Sequence, residues 1–162
     1  MTFKHEQQIP PVIWAVVADR SRARILAAPW PDATSWEEVR DLVHGEGELT
    51  PQEIDTDRPG SFASPRGGYH TGEDRKDFRH QSAEHFATEI VGVLESGRLG
   101  GEFGKLALVS PPLFLGVLRK ELSGPLEQMV VLELHKDYTH APLTDVAAHL
   151  SDGLAEVTRD DG

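Results

Sequence analysis

Val12-Ile13-Trp14-Ala15-Val16-Val17-Ala18 is an unbroken apolar run in which four of the seven residues are β-branched. It is far shorter than the roughly 20 residues of a membrane span. It also lacks the alternation of a strand with one wet face, so it reads as a strand covered on both faces. Such a strand needs a sheet with further layers above and below it. Asp19-Arg20-Ser21 supplies turn residues. Residues 22–28 (RARILAA) make a second strand close enough to form a hairpin with the first. Residues 36–44 (WEEVRDLVH) complete an antiparallel meander, although Val39 and Leu42 are out of phase for a regular strand.

From 45 to 74 the texture changes to Gly and Pro with few large apolar residues, which reads as a long loop. Its portion 60–72 is expected to be the most mobile interior segment, since little apolar area offsets the entropy of ordering. Residues 77–94 carry Phe78, Phe86, Ile90, Val93 and Leu94 at helical spacing, with Gly97 expected as the C-terminal cap. Residues 105–110 (KLALVS) form a strand. Ser110 is expected to cap a helix over 113–122, with Pro111 and Pro112 at its start. Gly124-Pro125 breaks that helix, and residues 129–134 (MVVLEL) make a fifth strand. A last helix opens at Pro142, passes Leu150 and reaches toward Val157, leaving a fraying polar tail at 158–162.

The order β-β-β-α-β-α-β-α predicts one α/β domain over 1–162 behind a polar leader at 1–11, with a mixed five-stranded sheet. Right-handed crossovers place strand four beside strand one. That is ribonuclease H-like connectivity, shared with the central domain of the eukaryotic and archaeal peptide release factor. The runs at Val12, Lys105 and Met129 are expected to be central strands, with Phe86 and Ile90 packed on the sheet.

Lys and Arg total 16 against 27 Asp and Glu, a net charge of −11. This balance argues against sequence-blind binding to nucleic acid or to anionic membrane, and no DNA partner is expected. With no cysteine there is no disulfide, thiolate zinc site or cysteine nucleophile. The polar N-terminus lacks a signal-peptide core and no run is long enough to span a membrane, so a cytoplasmic protein is expected. GxSxG, P-loop, GxGxxG and HExxH motifs are missing from the sequence. The eight histidines show no ligand spacing, and neither metal nor cofactor is expected. His80 with Glu84 and His85 with Glu89 read as solvated helix surface. Arg75, Lys76 and Arg79 interleave with Glu73, Asp74 and Asp77, which reads as a salt-bridged face.

Asp19, Ser110 and the pair Lys136-Asp137 each end a strand. If strands one, four and five are parallel neighbours, these residues share the edge where open sheets bind ligands. The second helix starts there, so its free N–H groups and Arg119 suit an anion, and the two carboxylates suit a divalent cation. A simpler reading has Asp19 starting a turn, Ser110 capping a helix, Asp137 turning before Pro142 and Arg119 on an exposed helix face. Strand-end polar residues usually terminate structure. A ribonuclease H-type nuclease needs more carboxylates, and strand four offers none.

Five segments in order carry a resemblance. They are Trp14 to Asp19 with Arg22-Ala23-Arg24; Asp57-Arg58-Pro59-Gly60-Ser61; Phe103 to Val109 leading into Pro111-Pro112; Leu115-Gly116-Val117-Leu118-Arg119; and Lys136-Asp137-Tyr138. Together, from Trp14 to about Leu150, the chain resembles the bacterial host attachment family, proteins required for attachment to host cells. The resemblance implies a role in attachment and no particular chemistry. A more distant similarity is to the release-factor central domain, whose Gly-Gly-Gln loop precedes its long helix. Here Gly67-Gly68-Tyr69 holds that place, and Tyr69 in place of glutamine implies no peptidyl-tRNA hydrolysis. The expectation is a non-enzymatic binding or adaptor domain with an unidentified protein partner. The rivals are a ribosome-, tRNA- or RNA-associated domain and a metal- or phosphate-dependent enzyme at the strand-end edge.

Overall fold

The hairpin read from the first apolar run forms from β1 (Val12–Ala18) and β2 (Arg22–Pro29), antiparallel, with Ala18 opposite Ala23. The computed structural model describes residues 9–44 and 72–161. β3 (Glu37–Val43) pairs antiparallel with β2. β4 (Lys105–Val109) lies parallel to β1, and β5 (Val130–Leu134) lies parallel to β4. The order β3-β2-β1-β4-β5 is the mixed five-stranded sheet that right-handed crossovers require. β1 and β4 are central as expected. β5 is instead an edge strand, and four of its five residues are only part-buried.

Helices cover both faces, which is why β1 has no polar side. α1 (Gly72–Leu99), α2 (Pro112–Glu121) and the short α3 (Gly124–Met129) lie on one face. There Trp14, Val16 and Ala18 meet Phe86, Ile90, Leu94, Phe114, Leu118 and Leu126. α4 (Leu143–Asp161) covers the other face, where Ile13, Ala15 and Val17 meet Val146, Leu150 and Leu154. Full burial of Phe86 and Ile90 contributes about 1.5–3 kcal/mol each.

Three local expectations are corrected. α1 starts at Gly72, inside the stretch read as loop, and passes through Gly97 rather than stopping there. A Cβ on Gly97 would stand 2.7 Å from the Trp14 ring, so this glycine admits the tryptophan, and the chain turns at Gly101 with φ 71°. Pro111, not Ser110, is the N-cap of α2, and no side chain caps it. The break expected at Gly124-Pro125 is present, since α2 ends at Glu121, and the same pair opens α3, where the Ser123 hydroxyl accepts from Leu126 N–H at 3.3 Å. α4 runs to Asp161.

The phase problem in β3 has a structural cause. Ile25 faces Arg40 while Leu26 faces Glu38, so Val39 is an extra residue, a β-bulge. The bulge brings Val39 and Leu42 to the α1 face, where both pack on the core. It sends Glu38 and Asp41 to the opposite face. Residues 1–8 and 45–71 lie outside the described residues, and with them Gly67, Gly68, Tyr69 and the expected mobile segment up to Thr71.

Candidate functional site

The ends of β1 and β5 converge, as the strand-end reading requires. Asp19 follows β1, and its Oδ1 accepts from the N–H groups of Ser21 at 2.7 Å and Arg22 at 2.9 Å. This fixes the turn into β2. Asp137 does the same after β5, where its Oδ1 accepts from Thr139 N–H at 3.2 Å. The Thr139 side chain joins the two turns. Its hydroxyl lies 2.7 Å from Asp137 Oδ1 and 3.0 Å from Asp19 Oδ2, and the residue is 3% exposed. One hydroxyl has one proton, so the two carboxylates compete for a single donor. Among the described residues no group of three or more His, Asp or Glu is placed to hold a metal ion.

Arg24 of β2 locks the segment that carries Thr139. Its Nη1 donates to the carbonyls of Ala141 at 2.6 Å and of Tyr138 and Thr139 at 3.3 Å, while its Nη2 pairs with Glu38 Oε1 at 3.0 Å. Beside it runs an open groove of about 440 Å³, lined by Arg22, Arg24, Glu38, Asp41, Val43, Thr139 and His140 among others. The bulge in β3 puts Glu38 and Asp41 on this side together. Their carboxyls are hydrogen-bonded to each other. Asp41 is pushed up to about 6, first by its hydrogen bond to Glu38, then by burial and by the Glu38 charge, with Arg24 and Arg22 opposing. Glu38 is held below the usual carboxylate range by that same hydrogen bond and by Arg24.

The other expected site residues scatter. Ser110 is wholly buried, and its hydroxyl has no hydrogen-bond partner among the described residues. Arg119, in the last turn of α2, pairs with Glu133 of β5 at 3.3 Å, on the far margin of the sheet. Lys136 is exposed. Sequence reasoning missed Thr139, although Asp137-Tyr138-Thr139 is an Asx-turn pattern that points to it. It also missed the buried His44, whose Nε2 lies 3.0 Å from Ser82 Oγ and whose Nδ1 lies 3.3 Å from Glu89. That contact ties the end of β3 to α1.

A family model for "protein required for attachment to host cells" matches residues 14–150. No curated protein matches the sequence. Among solved structures, an archaeal translation termination factor, aRF1, is similar with a TM-score of 0.51 at 12% identity, over 93% of this chain and 38% of that one. A second, described as an archaeal protein, has a TM-score of 0.44 at 11% identity, over 98% and 41%. The chain thus spans about two fifths of the length of these solved structures. At such identities the aRF1 likeness is one of fold. No helix among the described residues is long and apolar enough to cross a membrane.

Proposed function

We propose that this chain, which belongs to the family of proteins required for attachment to host cells, serves attachment by binding a protein partner rather than by catalysis. One observation carries the reading. The strand-end carboxylates of Asp19 and Asp137, the groups an enzyme at this edge would use as acid, base or metal ligand, are spent on two turns and one buried hydroxyl. A carboxylate that must keep such bonds to hold its backbone trades protons or takes a cation only by loosening the fold. What the corner supplies instead is rigidity. Next to it the groove offers exposed His140, Asp41 and Val43, with exposed Lys136 close by in sequence, a mixed polar and apolar surface of the sort protein partners cover.

The experiment is a comparative pull-down from lysate, with and without nuclease, using wild type and Lys136→Glu/His140→Glu. The reading expects a partner that survives nuclease and is lost from the variant. A partner that disappears on nuclease treatment, and is held equally by both proteins, moves the assignment to an RNA-associated domain.

A further inference from the structure

Asp19 and Arg20 are neighbours in the β1–β2 turn, and their charges diverge. The Asp19 carboxylate is taken up by the turn amides and by Thr139, on the α4 side of the sheet. The Arg20 guanidinium lies within electrostatic reach of Arg79 on α1. Hydrogen bonds hold the two segments together. His44 N–H donates to Ser21 C=O at 2.8 Å, the His44 ring lies 3.0 Å from Ser82 Oγ, and Ser82 stands one helical turn after Arg79. The turn carrying Arg20 is therefore held against the stretch of α1 that carries Arg79.

This arrangement is costly as it stands. Burial and the Arg79 charge both push the Arg20 guanidinium below its ordinary range, and Asp19 offsets them only in part. Arg20 Nε is buried and has no hydrogen-bond partner among the described residues. Among the described residues neither Arg20 nor Arg79 forms an ion pair, in a chain with 27 acidic side chains against 16 basic ones. Two like charges held together, one of them desolvated, call for an anion. A guanidinium offers a rigid fork of N–H donors. A single carboxylate fills one fork with its two oxygens and one charge. Two forks match a tetrahedral anion with more oxygens and nearly two charges.

We propose that Arg20 and Arg79 form a binding site for a phosphate-type oxyanion, either inorganic phosphate or the terminal group of a phosphate monoester. The site lies on the α1 side of the β1–β2 turn, apart from the groove, and stands whether or not the groove binds a partner.

The test is a titration followed by NMR of the full chain, reading the Arg20 side-chain Nε–H and the backbone amides of Arg20, Ser21 and Arg79. The probes are inorganic phosphate, a simple phosphate monoester, and sodium chloride at matched ionic strength. The expected result is a saturable shift with either phosphate probe and not with chloride, weakened at least about tenfold in Arg20→Gln and in Arg79→Gln. Phosphate should also raise the melting temperature of wild type and leave that of the variants unchanged. Tighter binding of the monoester identifies a phosphorylated molecule as the ligand, while equal or weaker binding identifies free phosphate, and both uphold the site. No saturable shift, an equal response to chloride, or undiminished binding by the Gln variants overturns it. Should Arg20→Gln fail to fold, the exposed Arg79→Gln decides alone.

Discussion

Gly97→Ala tests how α1 is seated on the sheet. The added Cβ would stand 2.7 and 2.8 Å from two Trp14 ring carbons and 3.0 Å from Phe103. Comfortable carbon contacts lie near 3.5–4.0 Å, so the ring must retreat by roughly 0.5–1 Å. It has nowhere to go. Trp14 is 3% exposed, stacks on Phe103 with centroids 4.5 Å apart, and carries the Arg40 guanidinium over its ring at 5.8 Å. Forced overpacking of this kind costs about 1–3 kcal/mol. Against it, Gly to Ala in a helix interior gains about 1 kcal/mol. Gly92, exposed on the same helix with nothing within 4 Å of its Cβ position, provides the control that takes the gain alone. The difference between the two variants isolates the collision at about 1–3 kcal/mol, or about 2–4 °C in Tm for each kcal/mol. Urea denaturation with unchanged m-values measures it. Gly97→Ala proving as stable as Gly92→Ala would refute the packing argument.

Thr139→Val keeps the shape but leaves two carboxylates without their shared donor, and should cost about 1–3 kcal/mol in the same assay; no measurable loss would show that the two turns do not depend on the hydroxyl. Ser110→Ala removes a buried hydroxyl that has no partner among the described residues, so it should be neutral or stabilising within about 1 kcal/mol, and a clear loss of stability would contradict that assignment. Asp41 keeps its proton up to about 6 in the folded chain. The native state therefore binds more protons than the unfolded one between the ordinary carboxylate range and that value, and stability falls as pH rises across the window. Asp41→Asn should flatten that fall, gaining more stability near pH 7 than near pH 5 in paired thermal melts, and an equal gain at both would count against the raised Asp41 value.

The sheet was legible because β1 and β4 state their burial in sequence: an apolar run with no polar phase has helices on both sides. β3 was legible as a strand but not in register, because its bulge depends on pairing with β2 and leaves only the misplaced Val39 and Leu42 as a trace. Gly97 was misread because the same residue type ends a helix or admits a neighbour, and which applies depends on Trp14, 83 positions away. Asp19 and Asp137 announced themselves by ending strands, but the threonine that joins them did not, since one hydroxyl has no periodicity. Arg79 shows the limit of charge patterning. It sits among acidic neighbours in sequence, yet the fold also brings it within electrostatic reach of Arg20.

The central claim is that the strand-end surface serves attachment by binding. Cells lacking the gene, complemented with wild type or with Lys136→Glu/His140→Glu, can be scored for attachment to host cells while circular dichroism confirms that both proteins are folded. The account predicts that wild type restores attachment and the folded double variant does not. Full restoration by the double variant would contradict it.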